Sequence, residues 1–340
     1  MKTQELRERL RTFPRFPLLR DATPLHPLEN LSRELGVDLR VKRDDLTGLA
    51  AGGNKTRKLE YLIGQARAEG ADTVLTAGWY HSNHALQTAA AAARAGLECI
   101  LYLKAGDPRK GSLFLDALCG AQVRLFDVPG SAALGPEMER GAEALRREGR
   151  KPYVIPVGGS DPVGSLGYVE GALEMREQCD ETGWEPDLVV CPTSSGGTHA
   201  GLLAGIPALF PRTRVLGIGV GDDPGEVREK VGHLRDALGE LLSLPPLDDR
   251  TLDEAFCFDY GFGAYGTLAG PVMDLIREVG SREGFFLDPV YTGKAFYGLL
   301  DRIRRGIVPL ASRVLFLHTG GLSGLFQYEE EVHRHLAGTD

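Results

Sequence analysis

The chain has 340 residues, 42% hydrophobic and 25% charged, with a formal net charge of −8. That length calls for two domains or one large α/β domain, and the composition is that of a folded globular protein. The charge argues against a nucleic-acid partner: Lys and Arg are dispersed, and the one basic run, Arg302-Ile303-Arg304-Arg305, reads as a solvated helix face.

No apolar run reaches the ~18 residues that span a bilayer, so no membrane association is expected. The N-terminus, Met1-Lys2-Thr3-Gln4-Glu5-Leu6-Arg7, is a charged helical pattern without the apolar segment of a signal peptide. A cytoplasmic protein is therefore expected. Cys99, Cys119, Cys179, Cys191 and Cys257 are scattered and odd in number, with no CxxC. This speaks against a disulfide framework and against a zinc site. Cys99 and Cys191 lie in apolar runs and read as buried small hydrophobes.

Along the chain, β-branched runs predict strands at 39–42, 73–77, 99–103, 122–126, 153–157, 187–191, 215–220, 285–287 and 314–318. Helical patterns lie between several of them, at 54–69, 84–95, 164–179, 198–209, 266–279 and 293–305. Such alternation predicts an α/β fold of mostly parallel sheets flanked by helices, with ligands at the carboxyl ends of the strands. Glycine-rich places at 51–53 and 157–160 bracket a self-contained block. The expected organisation is a larger domain of residues 1–53 and 160–340, with a smaller domain of residues 54–159 inserted in it.

The first chemical constellation is Gly52-Gly53-Asn54-Lys55-Thr56-Arg57-Lys58-Leu59. Asn54 is a good N-cap, and Lys55, Arg57 and Lys58 then fall in the first turn of a helix. That end carries partial positive charge and suits Asp or Glu, so the cations are misplaced by about 0.3–1 kcal/mol each. A solvated basic turn is one reading; the other is a functional site, where local rules are often broken. A lysine so close behind two glycines can bond a carbonyl cofactor as a Schiff base.

Next comes Gly78-Trp79-Tyr80-His81-Ser82-Asn83-His84, after a strand. Ser82 and Asn83 are capping types, yet a serine at a helix start can also bind a carboxylate or move a proton. His81 and His84 lack a third ligand, so no metal is expected. In Cys191-Pro192-Thr193-Ser194-Ser195-Gly196-Gly197-Thr198-His199 a buried strand enters a small-residue loop and a helix. This is either tight-turn packing or an anion cradle of backbone N–H and hydroxyl groups. Gly217-Ile218-Gly219-Val220-Gly221 has the wrong spacing for a dinucleotide turn and reads as strand packing. Tyr265, Tyr291, Lys294 and the run His318-Thr319-Gly320-Gly321 sit in loops that open toward helices.

A lysine plus a phosphate cradle without a P-loop suggests pyridoxal phosphate, an electron sink for carbanion chemistry. Taken together, residues 52–62, 82–90, 153–160, 166–170, 195–202, 287–295 and 317–321 resemble the D-cysteine desulfhydrase and 1-aminocyclopropane-1-carboxylate deaminase family, in the family's order. That family has the tryptophan-synthase-β-like fold, fold type II among pyridoxal-phosphate enzymes.

The resemblance implies that Lys55 is the Schiff-base lysine, with Asn54 beside it, and that Asn83 meets the cofactor's phenolic oxygen. It implies that Ser195, Gly196, Gly197 and Thr198 hold the phosphate, and that Thr292 or Thr319 faces the ring nitrogen. Ser82, Asn83, His81, His84 and Tyr291 then line the substrate pocket, with Ser82, Tyr265 and Tyr291 beside Lys55 in catalysis. A homodimer is also implied. The deaminases carry Glu where Thr292 stands, so the expected activity is β-elimination from D-cysteine, or a similar β-substituted amino acid, to pyruvate, ammonia and hydrogen sulfide. The alternatives are deamination of 1-aminocyclopropane-1-carboxylate to 2-oxobutanoate, a catalytically weak pyridoxal-phosphate-binding protein, and, more distantly, a nicotinamide dehydrogenase. The family usually has Gln at His81 and a small apolar pair at Trp79-Tyr80.

Overall fold

In the computed structural model, residues 3–106 and 112–338 are described. They form two sheets. The larger has the order β1-β2-β10-β7-β8-β9, from Leu25–Pro27, Asp38–Arg43, Arg313–His318, Leu188–Thr193, Arg214–Gly219 and Phe256–Cys257. All its pairings are parallel except β1 with β2. The smaller has the order β5-β4-β3-β6, from Gln122–Phe126, Glu98–Lys104, Thr73–Trp79 and Pro152–Val154, and is wholly parallel. Parallel strands must be buried on both faces, which is why β7 is continuously apolar or small and wholly buried. Apolar clusters accordingly cover both faces of the larger sheet and of the smaller one. Among the described residues no helix is long and apolar enough to cross a membrane.

Three local expectations need correction. Residues 285–287 are not a strand: Phe285 and Leu287 are buried in the core, but the Phe286 carbonyl accepts from His318 Nε2 at 2.9 Å instead of a ladder partner. The helix expected from 266 begins later, as Gly270–Glu283; Gly266 has φ +81°, and Pro271 fits the first turn. Asn54 does not cap the helix Lys55–Ala68 with its side chain. Its Nδ2 donates instead to Thr198 Oγ1 at 2.9 Å, and the Thr56 N–H is taken by Gln87 Oε1 at 2.9 Å.

The glycines of Gly217-Ile218-Gly219 do lie in β8, where His199 and Phe258 press on the space a side chain would need. The helices Lys55–Ala68 and Pro162–Thr182 pack together between the two sheets, so closely that a Cβ at Gly167 would strike the backbone of Arg57.

Candidate active site

The carboxyl ends of β3, β7 and β10 open on one cleft of about 390 Å³. Lys55, Asn54, Ser82, Asn83, His84, Ser195, Gly196, Thr198, Tyr265, Tyr291 and Thr319 all line it. Sequence positions 54 through 319 are thus drawn to one place by the two sheets.

Three cations in one first turn meet three different fates. Arg57 is buried and neutralised: its Nε and Nη2 donate to Asp44 at 2.8 and 2.9 Å, and its Nη1 to Glu174 at 2.8 Å. Lys58 is buried, and its Nζ donates to the Gly158 carbonyl and to Ser160 Oγ, both at 3.1 Å. Burial, and then the nearby Lys55, push the Lys58 pKa well below that of a free lysine. Lys55 alone projects to the cleft. Burial lowers its pKa from 10.5 to about 8, so an appreciable share of its amine is unprotonated and nucleophilic near neutrality. Gly53 is needed just before it: with φ +129°, a Cβ there would meet Gln87 Nε2 at 2.6 Å and the Thr319 carbonyl at 3.1 Å.

Across the cleft, β7 delivers Ser195 and Gly196 to the start of the helix Gly197–Leu209. Gly196 has φ +89°, a left-handed conformation that turns the chain into the helix. The first N–H groups of a helix are free donors at the positive end of its dipole. Ser160 braces them from below: its Oγ donates to Ser195 Oγ at 2.8 Å and accepts from the Gly197 N–H at 3.3 Å. Lys58, Ser160 and Ser195 therefore form one hydrogen-bonded chain under the cradle. Sequence reasoning missed Lys58 and Ser160, whose connection spans 102 residues.

Ser82 lines the cleft and caps the helix Asn83–Ala95, its Oγ accepting the Ala85 N–H at 3.2 Å. Asn83 receives the Ser323 hydroxyl on Oδ1 at 2.7 Å, which leaves its amide N–H donors for the cleft. Thr76 spends its hydroxyl proton on the Ile155 carbonyl, so His84 Nε2 is the donor in their 2.8 Å contact. Burial, with Lys55 and Lys58 nearby, keeps that imidazole neutral. The hydroxyls of Tyr265 and Tyr291 are hydrogen-bonded to each other, and burial raises the pKa of both.

Three expected site residues stand off the cleft wall. Gly197 lies behind Gly196. His81 stacks on Trp79 with centroids 5.8 Å apart. Thr292 is fully buried, its Oγ1 donating to Asp288 Oδ1 at 2.7 Å and accepting the Asp288 N–H at 2.8 Å. Thr292 thus locks a turn, and of the two threonines Thr319 is the one on the cleft. Lys294, the other lysine in a loop-to-helix position, is buried and donates to the carbonyls of Val220 and Gly261 at 2.9 and 2.7 Å.

These residues fit a cofactor with an aldehyde at one end and a phosphate at the other. A weakly basic amine and a helix start face one cleft, and the hydroxyl of Thr193, which lines it, is buried without a hydrogen-bond partner among the described residues. Burying such a group unpaired costs roughly 1–3 kcal/mol, a penalty that a ligand can relieve.

Residues 18–320 match the family described as pyridoxal-phosphate-dependent enzyme. A Pyrococcus abyssi protein provisionally named a 1-aminocyclopropane-1-carboxylate deaminase is 47% identical over 95% of this chain and 96% of its own length. The D-cysteine desulfhydrase of Klebsiella pneumoniae strain 342 is 41% identical over 97% of this chain and 99% of its own. The crystal structure of an ACC deaminase homologue, 45% identical, superposes with a TM-score of 0.91 over 97% of this chain and 99% of that one. Diaminopropionate ammonia lyase of Escherichia coli, 17% identical with a TM-score of 0.71 over 98% of this chain and 92% of that one, shares the fold.

Proposed function

Because the chain belongs to the pyridoxal-phosphate-dependent enzyme family, we propose that it eliminates the β-substituent of a small amino acid, D-cysteine foremost. Cysteine and one water would yield pyruvate, ammonia and hydrogen sulfide. Bound pyridoxal phosphate supplies an aldehyde for an amine and a ring that accepts the electron pair left when the α-proton departs. The observation that carries the reading is the Lys55 amine, with its pKa near 8, facing the cradle at Ser195, Gly196 and Thr198.

In this reading Lys55 bonds the aldehyde, and Ser195, Gly196, Gly197 and Thr198 hold the phosphate, steadied by Asn54 and by Lys58 through Ser160. Asn83 donates to the phenolic oxygen. Ser82, at a helix N-terminus, receives the substrate carboxylate with His84 behind it, a placement the dipole favours. Lys55 or Ser82 takes the α-proton, and the Tyr265–Tyr291 pair stands where a leaving thiol can be protonated. Thr319 offers the ring nitrogen a hydroxyl, a weaker partner than a carboxylate, and this favours simple elimination over the harder opening of a cyclopropane. The domain division at 54–159, a homodimer and a cytoplasmic location belong to the same reading.

A second reading, deamination of 1-aminocyclopropane-1-carboxylate, is favoured by the names of the Pyrococcus abyssi relative and of the 45% identical structure. Holoenzyme offered D-cysteine, L-cysteine and 1-aminocyclopropane-1-carboxylate side by side separates the two. Pyruvate and sulfide from D-cysteine support elimination; 2-oxobutanoate as the main product would replace it with deamination.

A further inference from the structure

Trp79 reaches across the cleft. It ends β3 of the smaller sheet, yet its ring centroid lies 5.7 Å from that of Tyr265, in the loop after β9 of the larger sheet. Tyr265 in turn lies 5.7 Å from Tyr291. The indole is held in place from its own side: His81 stacks on it at 5.8 Å, and Lys104 Nζ sits 4.2 Å over the ring. Lys104 is the ladder neighbour of Trp79 in β4 and is itself anchored by donating to the Pro129 carbonyl at 2.8 Å.

Ring centroids about 4.5–7 Å apart are in direct contact. A flat group held between two rings needs two carbon contacts, roughly 7 Å in all. Nothing therefore fits between Trp79 and Tyr265, and the three rings of Trp79, Tyr265 and Tyr291 make a closed wall, with His81 stacked on Trp79. The volume agrees. About 390 Å³ is near the low end of the roughly 300–1,000 Å³ typical of small-molecule sites, and this cleft has to take cofactor and substrate together.

We propose that Trp79 sets the upper size of the substrate's β-substituent, admitting compact leaving groups such as thiol, hydroxyl or chloride and rejecting thioethers with a bulky sulfur substituent. The inference rests on the elimination reading above. One surplus methylene in an apolar pocket is discriminated by roughly 10–200-fold, so a benzyl group against this wall is rejected at least that strongly.

The test is the ratio of kcat/KM for S-benzylcysteine to that for cysteine, measured on holoenzyme with both enantiomers. Trp79→Ala is expected to raise the ratio at least tenfold. Trp79→Val, which suits a strand end, serves if the alanine variant does not fold. A ratio unchanged within twofold in either folded variant overturns the proposal.

Binding separates this claim from the reaction itself. Alanine, 2-aminobutyrate and phenylalanine, in both enantiomers, carry no β leaving group, and their affinities are read from cofactor absorbance. If the wild type eliminates from none of the cysteine derivatives, the reaction reading falls. The size claim then stands if the wild type prefers alanine to phenylalanine by tenfold or more and the variant abolishes that gap. It falls if the gap is the same in both proteins.

Discussion

Arg57→Met tests the frame beneath Lys55, the lysine proposed to carry the cofactor. Asp44 is fully buried, and burial alone would raise its pKa; Arg57, with help from Lys42 and Tyr168, outweighs this and holds it at about 2. Methionine fills the space but removes both hydrogen bonds to Asp44 and the ion pairs with Asp44 and Glu174, leaving Asp44 with Thr23 and Tyr168 at 2.7 and 2.6 Å. Stripping one partner from a buried pair costs about 3–5 kcal/mol, a large part of the about 5–15 kcal/mol that a folded protein has in all.

The pH dependence has a definite sign. A carboxylate whose folded pKa lies below its ordinary 3.8 contributes stability above 3.8 that is lost as pH falls toward 2. In the variant, burial of Asp44 is no longer offset by Arg57, its pKa rises, and the protonated form is the better tolerated one. Urea denaturation at pH 7 should therefore show the full deficit, and the deficit should shrink as pH falls through the variant's raised Asp44 pKa, where the folded variant takes up a proton that the folded wild type does not. A loss under about 1 kcal/mol, or one that does not change between pH 7 and pH 4, would refute the reasoning.

Other consequences follow from the same geometry. At pH 7 a lysine with pKa about 8 has about 300-fold more free amine than one at 10.5, so uptake of pyridoxal phosphate by apoprotein should accelerate with pH through a midpoint near 8. A midpoint near 10 would show that burial does not tune Lys55. Lys58→Met should weaken pyridoxal phosphate binding by about 2–12-fold, the worth of a hydrogen bond, while leaving affinity for pyridoxal, which has no phosphate, nearly unchanged. Equal losses for both would move Lys58 away from the cradle. Ser323→Ala frees the Asn83 amide and should weaken cofactor binding by about 2–12-fold and shift the bound cofactor's absorbance, with Ser323→Thr restoring both. An unaltered spectrum in the alanine variant counts against a positioning role.

The strands were legible where both faces are buried, because β7 and the stretches of β8 and β10 behind their first arginine are then almost wholly apolar or small. The pieces Leu25–Pro27 and Phe256–Cys257 are too short to carry a period and were not legible. The helix Pro224–Leu242 was legible and overlooked: Val227, Val231, Leu234 and Leu238 fall on one stripe. Lys55 could be singled out locally, by its two glycines and its wrong place at a helix start. What could not be read was why its neighbours tolerate that place. Arg57 is answered by Asp44 and by Glu174, 117 residues away, and Lys58 by the loop at Gly158 and Ser160. Asn54 misled for the same reason, since its amide reaches Thr198 rather than its own helix.

Lys55, rather than the buried Lys58 or Lys294, is the proposed cofactor-bearing amine. Reduction of holoenzyme with borohydride, followed by peptide mapping, tests this directly. A single pyridoxyl-lysine is expected at Lys55, absent from Lys55→Ala. A label on Lys58 or Lys294, or no covalent label at all, would contradict it.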